Sequence, residues 1–307
     1  MAFEHRTITL GETKRVSVPR QRISSKAWKN IALTKLTSFL ENKVLGIKDD
    51  LVVMESSYKA PIQSQHAENN SGIVRHYQAD SKYAVMVLPQ ISHGYDFAQL
   101  IASYFASNGV NAYYIEAPLR GPRRPHGKSM DMLLEDLNVL KLMFNQAVTE
   151  ARGIVDIVSR EKEKIGICGV SLGAMYSSIV YCLDERISSA SLVLGGGNLA
   201  GMIFDSEDRF AKILRAKLIS SGITLRTLRE ELKSIEPCNY TDPERSGNIL
   251  MINASRDKYV LSPHAQELIE AWGNPQQHTI SSGHISATVS ALELLPRLLE
   301  HYMATVK

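Results

Sequence analysis

Three residues of this chain have the types and spacing for nucleophilic chemistry. Ser171 stands in Gly169-Val170-Ser171-Leu172-Gly173, Asp257 in Ser255-Arg256-Asp257-Lys258-Tyr259-Val260, and His284 in Ser282-Gly283-His284. A serine hydroxyl at its ordinary pKa attacks poorly. It needs a general base, and the base needs an acid that fixes its tautomer. In a G-x-S-x-G pattern the small residues let a strand and a helix pass closely at a sharp turn, with serine at the tip. The start of the helix is then aimed at the reacting carbonyl, so the Leu172 N–H can face a developing oxyanion. The chemistry is acyl transfer. A Gly-rich strand-to-helix turn is the plain alternative, and five residues alone do not separate the two.

The surroundings of the motif favour the first reading. An apolar run with β-branched residues, Lys164 to Val170, predicts a strand, and Leu172–Cys182 predicts a helix. The partners are then expected in the order serine, acid, base, each in a loop after a later strand. Asp257 follows the apolar run Asn248–Asn253 by four residues and precedes a helix over Ser262–Trp272, with Pro263 at its start. A turn-forming or helix-capping aspartate is its alternative. Asp242, followed by Pro243 before the strand begins, reads as an ordinary turn residue. Among nine histidines, His284 lies after the last predicted strand, Gln277–Ile280, in a loop before the closing helix. His278 falls inside that strand, His264 inside a helix and His301 at the tail, while His5, His66 and His76 come too early. His93 and His126 sit at strand ends near the site and could touch substrate, but their chain order is wrong for the base.

The second oxyanion donor belongs to the loop after the strand Tyr83–Leu88, which reads Pro89-Gln90-Ile91. The backbone N–H of Ile91 is one choice. Gln90, whose side-chain amide could contribute, is the other.

The elements that must position these residues follow in order. Residues 1–24 are polar and basic and read as an arm that docks or frays. Trp28, Ile31, Leu33, Leu36, Phe39 and Leu40 recur at nearly helical spacing after a serine N-cap, and the helix stops near Gly46. Leu51–Met54 and Gly72–Tyr77 predict early strands. Tyr83–Leu88 is a fully apolar strand, a helix with Phe97, Leu100, Ile101, Tyr104 and Phe105 on its buried face follows, and Ala112–Ile115 is the next strand. A loop rich in Arg and Pro (Arg120, Arg123, Arg124, His126, Lys128) precedes a long amphipathic segment over residues 130–160. After the helix at Leu172, Ser189–Leu194 predicts another buried strand. Such alternation argues for a doubly wound, mostly parallel sheet. Residues 199–240 interrupt it with helical periodicity and no strand, which reads as a small helical cap insertion. The expected division is therefore 1–69 as N-terminal arm, helix and first strand, 70–198 and 241–307 as the α/β core, and 199–240 as the cap.

Composition narrows the classes. With 307 residues, 44% of them hydrophobic, the chain can bury a large core. A net charge of +3 argues for neither nucleic acid nor a membrane surface as partner. Cys168, Cys182 and Cys238 cannot all pair and follow no metal-ligand spacing; the first two read as core thiols. The N-terminus lacks an apolar signal core and no apolar run is long enough to span a bilayer, so a cytoplasmic protein without a membrane span is expected.

Taken together, Gly169–Gly173, Ile252–Val260 and Gly283-His284 make the chain resemble the α/β-hydrolase superfamily over roughly residues 70–305. Within it the chain resembles the dienelactone-hydrolase and acetyl-xylan-esterase-like branch. Leu119–Pro125, the helix containing Arg152 and Gly195–Ala200 are similar to a less studied group of predicted esterases. The resemblance implies an α/β-hydrolase fold, a Ser171–His284–Asp257 triad, a small-molecule acyl ester as substrate and no cofactor or metal. The chain departs from the common pattern in lacking His-Gly before the oxyanion loop. A carboxylesterase-type serine hydrolase is the first expectation. An acyltransferase using the same residues, or a non-catalytic ligand-binding protein on this scaffold, are the alternatives. The basic loop could grip a carboxylate or phosphate on the substrate, or it is a solvated loop or one whose arginines tie it to acidic residues.

Overall fold

Strands buried on both faces are apolar at most positions, and the central strands of this chain follow that rule, with a few small polar residues such as Ser189 and Ser191 in the strand Ile187–Val193. A computed structural model describes residues 3–17, 46–48, 50–91, 97–128, 136–207, 209–284 and 291–306. Among these, one sheet is built from β1 (Leu10–Val16), β2 (Val53–Lys59), β3 (Ser71–Tyr77), β4 (Tyr83–Leu88), β5 (Asn111–Ile115), β6 (Lys164–Val170), β7 (Ile187–Val193), β8 (Ile249–Ala254) and β9 (Gln276–Ile280). Its order is β1-β2-β3-β5-β4-β6-β7-β8-β9. The pairs β1/β2, β2/β3 and β3/β5 are antiparallel, and β5/β4 through β8/β9 are all parallel. The helices are α1 (Phe97–Ser107), α2 (Leu137–Val158), α3 (Leu172–Leu183), α4 (Leu199–Asp205), α5 (Arg209–Ser220), α6 (Leu225–Leu232), α7 (Ser262–Ala271) and α8 (Ala291–Val306).

Alternation along a strand divides the core between two faces. In β4, Ala84, Met86 and Leu88 join the apolar layer that also holds α2, α3 and α7, while Val85 and Val87 join the layer under α1 and α8. Leu214, Leu218, Leu228, Leu232 and Ile235 extend the first layer. Trp272, wholly buried, donates its indole N–H to Ser178 Oγ at 2.8 Å and ties the end of α7 to α3. Burial pushes the Cys168 thiol in β6 up to about 12, which leaves it protonated and inert.

The described part of the N-terminal arm docks, and part of it does so as a strand. Leu10–Val16 is the edge strand of the sheet, and Phe3 and Ile8 are buried against α2, where Gly153 leaves the room that Ile8 occupies. A run of exposed residues from Gly11 to Arg15, with Glu12, Thr13 and Lys14 among them, is what an edge strand open to solvent tolerates, and it carries no apolar signal. The boundary expected at residue 70 falls between two paired strands, because β2 and β3 are full antiparallel partners. The second strand also begins and ends later than Leu51–Met54 suggests, at Val53–Lys59. The helix expected from Trp28 to Leu40 lies outside the described residues.

The basic loop after β5 is fixed by buried charge. Arg123 and Glu150, each 0% exposed, form a bidentate pair at 2.6 and 2.7 Å. Arg123 also donates to the carbonyls of Glu116 (3.0 Å) and Asn69 (2.8 Å), and Tyr58 donates its hydroxyl to Glu150 at 2.9 Å. Burial and the neighbouring Glu150 carboxylate push the Tyr58 hydroxyl far above its ordinary range, so it stays a donor. Arg120 meets Glu116 at 2.5 Å and donates to Tyr114 Oη at 2.6 Å. These arginines tie the loop to acidic residues of the core. Two consequences are testable. Glu150→Ala leaves a buried guanidinium without its carboxylate, and urea denaturation is expected to show a loss of about 3–5 kcal/mol. His301 is buried in α8, and burial depresses its imidazole below the usual range although it donates to the Asn248 carbonyl at 3.2 Å. The unfolded chain therefore takes up this proton first as pH falls, and stability drops below about pH 6.5. His301→Gln is expected to flatten the stability-against-pH slope between about pH 7 and 5 in urea midpoints; an unchanged slope would contradict it.

Candidate active site

The turn after β6 is where the sequence leaves least freedom. Ser171 has φ 55° and ψ −119°, a conformation that a residue with a Cβ enters only when its surroundings hold it there. Its N–H is held by the carbonyl of Val193 at the end of β7 (2.7 Å), and its own carbonyl accepts from Ala174 at 2.9 Å. A Cβ placed on Gly173 would lie 2.6 Å from the Pro89 carbonyl oxygen, and one on Gly169 would meet Ser177 Oγ at 2.5 Å. Both glycines are thus required by close passage of backbone, with β4 and its following loop crossing over the first turn of α3. Leu172 is the first residue of α3, so its N–H has no carbonyl one turn earlier within the helix.

Asp257 and His284 come from the two loops that follow β8 and β9. Those loops are laced together: Ser255 N–H donates to the Ile280 carbonyl, Arg256 N–H to the Ser282 carbonyl (both 2.9 Å), and the Arg256 guanidinium to the Ser281 carbonyl at 2.8 Å. This lacing sets the two side chains together. His284 Nδ1 lies 2.6 Å from Asp257 Oδ2, and His284 Nε2 lies 2.8 Å from Ser171 Oγ. The side chains are 13% and 3% exposed, which shields the imidazole–carboxylate contact from water. A carboxylate only accepts, so Nδ1 carries the proton and Nε2 is left to accept from the serine hydroxyl. The other carboxylate oxygen, Oδ1, accepts from the N–H groups of Tyr259 (2.8 Å) and Val260 (2.9 Å). Asp257 is therefore a turn-organising aspartate and the partner of His284 at once, and the two readings of the sequence are not exclusive.

Other residues named from sequence lie as follows. Ile91 and Leu172 share one apolar patch with Leu119, Val139 and Met143, beside the serine. Gln90 is buried in the same loop. His126 is exposed on the loop after β5, His278 pairs with Glu293 at 2.6 Å, and His264 is buried in α7. His93 lies outside the described residues. Tyr259 was not singled out by sequence reasoning; its ring sits 5.1 Å from the His284 imidazole, tilted by 36°. Its place two residues after the aspartate is the signal that could have found it. Among the described residues no group of His, Cys, Asp and Glu is arranged to hold a metal ion, and no helix is long and apolar enough to cross a membrane.

A mostly parallel sheet of this strand order, with a strained serine between its central strand and the next helix, defines the α/β-hydrolase fold, and that is the fold of this chain. More narrowly, the model of the family described as alpha/beta hydrolase domain containing 18 matches residues 48–194, a stretch that holds Ser171 and stops before Asp257 and His284. The uncharacterized protein YdjC of Bacillus subtilis (strain 168) is 29% identical over 73 residues, 24% of this chain and 63% of YdjC, so the match spans less than two thirds of that relative. A cold-adapted esterase from an Arctic intertidal metagenomic library, in a PEG-bound complex, has a similar structure, with a TM-score of 0.56 at 14% identity over 85% of this chain and 96% of its own. The Pyrococcus furiosus esterase Pf2001 gives 0.51 at 15% identity over 87% and 96%. A puromycin-hydrolyzing peptidase of Mycobacterium tuberculosis gives 0.57 at 12% identity over 83% of this chain and 46% of the peptidase. At such identities the likeness is one of fold.

The close passage at the turn gives a direct prediction. Gly173→Ala forces its new methyl group into the Leu88 and Pro89 carbonyls, so the thermal midpoint is expected to fall by several degrees, as an overpacked site costing about 1–3 kcal/mol would require. A variant that melts like the wild type would show that the strand and helix are not in this contact.

Proposed function

We propose that the protein is a serine hydrolase of carboxylesterase type, cleaving an ester or related acyl bond through an acyl-enzyme. The observation that carries this reading is the imidazole of His284 standing 2.8 Å from Ser171 Oγ and 2.6 Å from Asp257 Oδ2. In the first half-reaction Ser171 Oγ attacks the substrate carbonyl carbon while its proton passes to His284 Nε2. Asp257 holds the Nδ1–H tautomer and stabilises the imidazolium. The carbonyl oxygen becomes an oxyanion, held by the N–H groups of Leu172 and Ile91, each worth on the order of 3 kcal/mol. Collapse breaks the bond to the leaving alcohol, which takes the proton from Nε2. Water then gives a proton to His284, attacks the acyl carbon and releases the carboxylic acid, and the proton returns to Ser171.

Residues 199–240 are proposed as a cap inserted in the hydrolase core. In support, the described residues of the segment form α4, α5, α6 and short 3-10 turns and no strand, and its ends meet: the Glu236 carboxylate accepts from the N–H groups of Asn198 (2.7 Å) and Leu199 (2.8 Å).

A fluorophosphonate probe, which labels only an activated serine, tests the reading. Wild type is expected to label and to hydrolyse a p-nitrophenyl ester. Ser171→Ala should lose both with an unchanged thermal midpoint, and Asp257→Asn should lower kcat by about four orders of magnitude through the wrong imidazole tautomer. Label retained on Ser171→Ala would refute the assignment.

A further inference from the structure

The helix α2 presents Met143, Gln146 and Glu150 at i, i+3 and i+7, one stripe along its length. Met143 and Glu150 engage the loop after β5, and Gln146 engages the segment before β3 that holds it. Glu150 grips Arg123, and the Gln146 side-chain carbonyl accepts from Asn69 Nδ2 at 2.7 Å while its amide donates to the Ile62 carbonyl at 2.7 Å. Asn69, wholly buried, accepts the Leu119 N–H on its Oδ1 at 2.8 Å. That bond holds Leu119 at φ 58°, in the left-handed region a leucine rarely enters. So much buried polar structure around one strained residue, none of it used in the acyl chemistry, points to a task for the side chain that the strain aims.

Leu119 and Met143, each 1% exposed, form an apolar pair, and Ile91, Val139 and Leu172 pack on it. Ile91 and Leu172 are the residues whose amides hold the oxyanion in the reading above, on which this inference rests. The geometry points to the Leu119–Met143 pair as the positioning element of the oxyanion hole. It braces the loop after β4 against the first turn of α3 and so fixes the separation of two amides that belong to different elements. Asn69, Gln146 and the Arg123–Glu150 pair fix the brace in turn. Donors must stand about 2.7–3.1 Å from the oxyanion to be effective, so a brace that yields by a fraction of an ångström weakens one donor without touching the triad. An aliphatic brace suits this role because it neither competes for the oxyanion nor admits water beside it.

The test uses the full chain with p-nitrophenyl acetate and the fluorophosphonate probe on wild type, Leu119→Ala, Met143→Ala, Leu119→Met and Met143→Leu. Both alanine variants are expected to lose about 10- to 100-fold in kcat and in labelling rate, with KM within about threefold and labelling still going to completion. The volume-conserving Leu/Met exchanges should recover to within about threefold of wild type. Alanine variants that label and turn over at the wild-type rate overturn the brace. So does a loss confined to KM, or a loss that follows the thermal midpoint and is not restored by the exchanges. Failure of the underlying reading looks different: wild type then takes no label, or Ser171→Ala takes as much.

Discussion

Everything at the candidate site depends on how closely backbone passes backbone between the central strand and the helix that follows it. The carbonyls of Leu88 and Pro89 stand where a Cβ on residue 173 would go, and the main chain of residue 173 stands where a Cβ on residue 169 would go. This contact lets the chain reverse within one residue, and the reversal puts Ser171 at φ 55° with its hydroxyl raised toward the loops. A larger residue at either glycine would push the helix away and relax the strain. The serine would then sit in ordinary backbone, pointing elsewhere. Strain at the serine is thus the consequence of a packing constraint and is held in place by the bond from its N–H to the end of β7.

His284 and Asp257 are placed by a different device. They lie 27 residues apart in the chain and on separate loops, so nothing local brings them together. The loops after β8 and β9 exchange main-chain hydrogen bonds beyond the ends of the parallel pair, which continues the sheet's register into the turns. Asp257 uses one oxygen for its own turn and the other for His284, so its carboxylate cannot rotate without giving up three bonds. Orientation comes from saturation of the acceptor.

Charge buried away from water supplies the third element. Arg123 and Glu150 satisfy each other in two parallel bonds, and the remaining guanidinium capacity goes to main-chain carbonyls. Such a pair gains little stability over apolar packing, yet it tolerates few alternatives in geometry. Here it fixes a loop rich in proline and arginine that would otherwise be free to sample many conformations, and that loop carries Leu119 to the side of the serine.

The sequence by itself determined much of this. Apolar runs gave most of the central strands, because a parallel sheet covered on both faces disfavours polar side chains there. The glycine spacing singled out Ser171, and position after successive strands singled out Asp257 and His284, three side chains that the structure brings together. Edge strand β1 was not legible, since its five inner residues are all exposed and the run looks like a linker. Nor could the arginine loop be assigned to either of its two readings, because an arginine that binds an anion and one that pairs with a buried glutamate look the same in a linear chain. Gln146 and Glu150 are polar residues of an amphipathic helix, yet both are wholly buried. Only the tertiary structure decided these, because a buried charge is stable solely through its partner, and here the partners lie 27 residues from Arg123 and 77 from Asn69 along the chain.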